Sequence, residues 1–232
     1  MRPAPIASTR HTLILLAIFG AVTALGAGHA AQTGGTPGVA ASRVPLYLGA
    51  LAGEWLLFRY AMIGLARTGT PAAAIFGDKL RSRRAWFLAL LLGPVAWLGI
   101  GLLSEGLKHA LGAAGLPLHA DSARTLASVA PRDTVERVLW VVLSISAGIC
   151  EEFVFRGYLL RQFAAWFGGP WPGLIASSIV FGLGHAYQGL APVLLITGLG
   201  MAFGAIALLT RRLGPGIVAH ALTDLVSGLA GR

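Results

Sequence analysis

The chain is short of charge and nearly empty of cysteine, and both shortages narrow what it can be. The single cysteine, Cys150, excludes an internal disulfide and any cysteine-rich metal site. Lying in an apolar run, it reads as a small packing residue. Charged residues are 12% of the 232, against about 25% in soluble domains. Three hydrolase signatures are missing as well. There is no His-Glu-x-x-His zinc helix. No Gly-x-Ser-x-Gly turn sets off Ser144, Ser146, Ser177 or Ser178 as a nucleophile. An aspartyl site needs two aspartates within the membrane, and only Asp224 lies in an apolar span.

What fills the chain is apolar: 56% hydrophobic residues and a mean hydropathy of +0.74. A bilayer core of roughly 30 Å needs about 20 such residues per helix. The expected fold is an all-α, polytopic transmembrane helical bundle of about seven spans, at 11–31, 45–66, 85–107, 137 into the 160s, 173–188, 190–210 and 214–230. Residues 11–31 read either as a first span or as a signal peptide with a small-residue site near Ala30, the uncleaved span being favoured. Pro94 is placed to kink the third span. The 32 glycines suit close helix approach in lipid, and Gly198/Ala202 and Gly200/Gly204 form small-xxx-small pairs. Trp86, Trp97, Trp140, Trp166 and Trp171 read as interfacial anchors.

A net charge of +9 does not signal nucleic acid, because the arginines sit between apolar runs. Arg81, Arg83 and Arg84 precede one span, and Arg211 and Arg212 separate two others. That is the pattern of cytoplasmic loops in a multi-pass protein of the cell membrane. With a cytoplasmic N-terminus, even alternation puts 67–84, 168–173 and 211–212 on the inner side. The loop at 32–43 is rich in Gly, Pro and Ser, and the loop at 108–134 carries Asp121, Arg124, Arg132 and Asp133. The chain divides into an N-terminal transmembrane region, 1–134, and a core, 135–232, that carries the chemistry.

In that core, every acidic residue and histidine after Arg137 lies in an apolar stretch: Glu151, Glu152, Asp224, His185 and His220. An ionisable group in a span costs some ~2.5–3.5 kcal/mol on insertion scales, so each calls for a function. Glu152 and Arg156 stand four apart on one helix face, in the favourable order for an ion pair. Glu151 points about 100° away and lacks that partner, which suits it to act as a general base. His220 and Asp224 are again four apart; they could share a metal, or Asp224 could orient the ring. Phe181 lies one turn before His185, with Gly182 and Gly184 leaving room around the ring. If spans four and five form a hairpin about the GGPWPG turn at 168–173, the glutamates and His185 both lie roughly 20 Å from it, level in adjacent helices. The depth of His220 depends on helix tilt.

One natural use of such a set is hydrolysis within the membrane, by a glutamate-activated water helped by two histidines. EEFVFR (Glu151–Arg156), FGLGH (Phe181–His185) and HALTD (His220–Asp224) resemble, in order, the three motifs of the CPBP intramembrane metalloproteases, the family of CAAX prenyl proteases and bacteriocin-processing or immunity-associated proteins. The resemblance covers about 135–230. It implies Glu151 as the base, with Glu152 as an associated catalytic-site carboxylate paired to Arg156. It also implies His185 and His220 as metal ligands or oxyanion stabilisers, Asp224 as a metal ligand where the family has Asn or Asp, and Phe181 as support. It implies a divalent metal, zinc by analogy, and a membrane-associated peptide or protein substrate, with the lipid bilayer as the other partner. Two further classes use the same residues: a catalytically silent scaffold or immunity protein, and a small proton-coupled transporter. The transporter class is disfavoured by the lack of internal repeats.

Overall fold

The computed structural model describes residues 3–33, 42–77, 82–118 and 128–230. Lys79, Arg81, Asp121, Arg124 and most of the 32–43 loop lie outside the described residues. The structure is 84% helical, with no strand among the described residues. Among the described residues eight helices follow in order: α1 (Thr9–Thr33), α2 (Val44–Arg67), α3 (Ala72–Phe76), α4 (Arg83–Ala113), α5 (Thr134–Phe167), α6 (Pro170–Leu183), α7 (Leu190–Thr210) and α8 (Gly214–Ala230). This is the expected all-α bundle. Four of the helices (α2, α4, α5 and α7) are long and apolar enough to cross a bilayer, and Thr9–Leu25 and α6 are shorter apolar helices.

Burial ranks the helices. In α5, 56% of the apolar stretch is buried inside the bundle, against 17% in α4. Helix α5 is therefore the central pillar. Helix α4 turns Phe87, Leu90, Val95, Leu98 and Leu102 outward, an apolar face that only lipid solvates well.

The middle of α5 departs from the regular helix the sequence suggests. Residues Glu152–Leu159 form a π-helical stretch, and the Leu160 N–H donates to the Phe155 carbonyl five residues back. All eight of its residues are buried. A widened turn is how a helix presents bulky groups on every side at once, and such turns concentrate at functional sites. The C-terminal end of α5 stops at Gly168, whose φ of 86° is a left-handed cap that glycine adopts without strain.

One end of the bundle gathers the segments expected on the inner side. The Gln162 side chain accepts from the Ile6 and Ala7 amides and donates to the Ala7 carbonyl. Thr68 donates to the Ile6 carbonyl, Arg161 to the Ala74 carbonyl, and the Leu213 amide to the Phe76 carbonyl. The short helix α3, inside the expected 67–84 loop, packs Ile75 against Gly157 beside Leu213. Helix α8 thus begins roughly three turns short of the end of α5. That offset supplies the depth of His220 that the sequence left open.

The opposite end is fastened by Glu136. Its carboxylate accepts from the Arg43 and Arg132 amides at 2.8 and 2.9 Å and faces the Arg43 guanidinium at 3.6 Å, with its side chain 3% exposed. Removing one member of a buried ionic cluster strands the others. Glu136→Ala is therefore expected to lower stability by about 3 kcal/mol, read as an earlier thermal unfolding transition in detergent.

The small-residue pairs of α7 act as packing residues. Gly198 lies against Leu107 of α4, Gly200 against Phe181 and Ser178, and Gly204 against Leu174. Gly182 has a different task from the expected one. A side chain there would meet Thr197 and the Val193 carbonyl, so it serves the α6–α7 crossing and not the space around His185.

Candidate active site

The site forms where α1, α2, α5, α6 and α8 converge at mid-height. Glu151 ends the regular part of α5, and the π-helical turn begins with Glu152. His185 follows the C-terminus of α6, just before a 3₁₀ turn at Ala186–Gln188. His220 and Asp224 project from α8. The hairpin geometry holds: Glu151 and His185 line one cavity of about 180 Å³, with Phe155 and Phe181 beside them.

His220 is the hub of the polar groups. Its Nδ1 lies 2.9 Å from Glu152 Oε1, and its Nε2 lies 3.6 Å from both Glu151 Oε2 and Asp224 Oδ2. A carboxylate accepts only, so Nδ1 carries the proton and donates to Glu152. This leaves Nε2 facing Glu151 and Asp224. Glu152 Oε1 is also 3.0 Å from Arg156 Nη1, the pair expected from the i, i+4 spacing. Both side chains are essentially inaccessible, at 0% and 2% exposure, whereas Glu151 keeps 29%. The two adjacent glutamates are thereby separated into a locked one and an accessible one.

Phe181 organises the remainder. Its ring meets His185 at 5.6 Å and His220 at 6.0 Å, both edge-on, and the Arg156 guanidinium lies 4.2 Å over its face. Phe203 stacks on His220 from α7 at 5.0 Å. His185 Nδ1 is 3.3 Å from the Phe181 carbonyl. A carbonyl accepts only, so that nitrogen donates and His185 Nε2 is left with a free lone pair.

The sequence-expected residues Glu151, Glu152, Arg156, Phe181, His185, His220 and Asp224 are therefore gathered into one neighbourhood. Their fit to a metal is a separate matter. Among the described residues no three His, Cys, Asp or Glu side chains are grouped to hold a metal ion, and His220 is bonded to Glu152 through one ring nitrogen, which leaves the other open. No step below is routed through a metal.

Two further residues border the site. Trp140, expected at the interface, is buried instead, and its indole N–H donates to the Asp224 carbonyl at 3.0 Å. It packs against Gly228 because α5 and α8 meet there without an intervening side chain. Trp86 and Trp171, by contrast, are more than half exposed. The second residue is Glu54 of α2, which lines the same cavity as Glu151 and His185.

Comparison with known proteins adds one finding. Residues 134–226 match the family model of the type II CAAX prenyl endopeptidases, described as Rce1-like. The match is consistent with the CPBP family. It spans every motif residue from Glu151 to Asp224. The CPBP-like segment starts at the first residue of α5, so α1 to α4 lie outside it although α1 and α2 wall the cavity. No curated protein and no solved structure matches the chain significantly.

Proposed function

We propose that the protein is an intramembrane endopeptidase that cleaves a membrane-associated peptide or protein with a water activated by Glu151. The observation that carries this reading is the shared cavity. Glu151 from α5 and His185 from the end of α6 face one space, and His220 Nε2 lies 3.6 Å from Glu151. A substrate carbonyl placed there meets a base, a hydrogen-bond acceptor for water and a donor for the oxyanion.

The steps balance on these side chains. Glu151 takes one proton from water while His185 Nε2 accepts a hydrogen bond from the other. The water oxygen attacks the peptide carbonyl carbon. His220, held at Nδ1 by Glu152, donates from Nε2 to the developing oxyanion when both its nitrogens are protonated, and Asp224 stabilises that charged form. The carbon–nitrogen bond then breaks, and Glu151 returns its proton to the leaving amine. Glu152 and Arg156 position His220 and do not touch the substrate. The proposed setting is the cell membrane, as a multi-pass chain with the basic end of the bundle and the N-terminus toward the cytoplasm, the side that the positive-inside rule favours.

The test is cleavage of quenched membrane-peptide substrates by purified protein beside His185→Ala. Loss of the water-orienting ring is expected to lower kcat by about 10²-fold. Equal rates for the two proteins would remove His185 from the mechanism. Activity is expected to survive dialysis against a chelator. Loss restored by Zn²⁺ would instead assign a metal to His185, His220 and Asp224.

A further inference from the structure

Glu54 is a carboxylate in the middle of an apolar helix, and the mechanism above makes no use of it. Its place is fixed from both sides. Gly53 lets Val22 of α1 pack close, and Trp55 donates to Ser146 of α5 at 3.3 Å. Glu54 thus lines the same cavity as Glu151 and His185. Its Oε2 is buried with no hydrogen-bond partner. The other carboxylates each face a basic group: Glu152, whose Oε2 is likewise without a hydrogen-bond partner, meets Arg156 and His220 through Oε1, and Glu151 and Asp224 meet His220. Among the described residues no basic side chain is ion-paired with Glu54, although His185 also lines the cavity. Its remaining walls are apolar, among them Phe19, Val22, Leu57 and Val154.

An unpaired carboxylate in such surroundings is strongly stabilised by an incoming cation and poorly by a neutral group. We infer that Glu54 is a specificity-determining residue that selects substrates carrying a lysine or arginine side chain beside the scissile bond. The apolar walls suit the alkyl stem of such a side chain, and the carboxylate meets its head. This inference rests on the protease reading for the word scissile, but the selection itself is a property of the cavity and is measurable by binding.

The experiment uses dye-labelled apolar peptides of transmembrane length with a lysine scanned through the centre, each paired with a norleucine twin. Cleavage and equilibrium binding are measured on the full chain in detergent, for wild type and for the near-isosteric Glu54→Gln. At one or more lysine positions wild type is expected to favour lysine over norleucine by at least about tenfold in Kd and KM, the gain of one charge-assisted contact. Glu54→Gln is expected to bring that ratio close to one. Glu54→Lys is expected to invert it toward a glutamate-bearing peptide, which guards against simple loss of fold. Lysine-selective binding that depends on Glu54, without cleavage, would keep this inference and sink the protease reading. Equal binding of the twins by wild type, no binding of either, or a preference untouched in Glu54→Gln would overturn it.

Discussion

Replacing Glu151 by glutamine is expected to lower peptide hydrolysis by about 10²–10⁴-fold, the usual contribution of a general base, with little change in thermal stability. The two halves of that expectation come from one geometric contrast. Glu151 keeps 29% of its side chain accessible and lies 3.6 Å from its nearest basic group, His220. An amide of the same shape preserves the packing and removes the proton acceptor. Glu152 sits one residue later with no exposure and close contacts to both Arg156 and His220. Glu152→Gln should therefore behave differently, costing stability along with activity. Parallel losses in both variants, in rate and in unfolding temperature alike, would mean that the two carboxylates do not divide the work as proposed.

The second large effect is expected at Arg156. Its guanidinium is paired with Glu152, lies over the rings of Phe181 and Phe203 at 4.2 and 5.2 Å, and donates to the Gly200 carbonyl. Arg156→Met roughly fills the volume but leaves Glu152 charged, buried and answered by His220 alone. Breaking a buried pair by removing one partner costs about 3–5 kcal/mol. The variant should lose most of its folded population in detergent, seen as aggregation on size exclusion and a lowered unfolding transition. Removing the stranded charge as well, in Arg156→Met with Glu152→Gln, should recover part of the loss, because the two sites are coupled. A double variant no better than the single one would put the effect in the cation–π contacts instead.

Much of this arrangement is legible in the chain, and the reasons it stops being legible are physical. The Glu152–Arg156 pair follows from helical spacing alone, and a π-helical turn between them does not undo it. The level placement of Glu151 and His185 follows from counting residues away from one turn. The depth of His220 does not follow, because it depends on α8 starting beside Gly157 and not at the membrane edge. Trp140 misleads for a related reason: a tryptophan near a helix end reads as an anchor until a glycine on another helix, Gly228, is found to face it. Glu54 is the instructive case. An ionisable residue inside a span needs a reason, and Glu54 within the 45–66 span meets that rule as fully as the residues after Arg137 do. The local widening at Glu152–Leu159 has no periodic signal, because all of its residues are buried and no polar face marks the turn.

The most direct test of the central claim is to reconstitute wild type and Glu151→Gln into liposomes with a mixture of membrane-spanning peptides and sequence the products by mass spectrometry. The account predicts new peptide termini with wild type that are absent or at least about a hundredfold rarer with Glu151→Gln. Identical product spectra from the two proteins would contradict it.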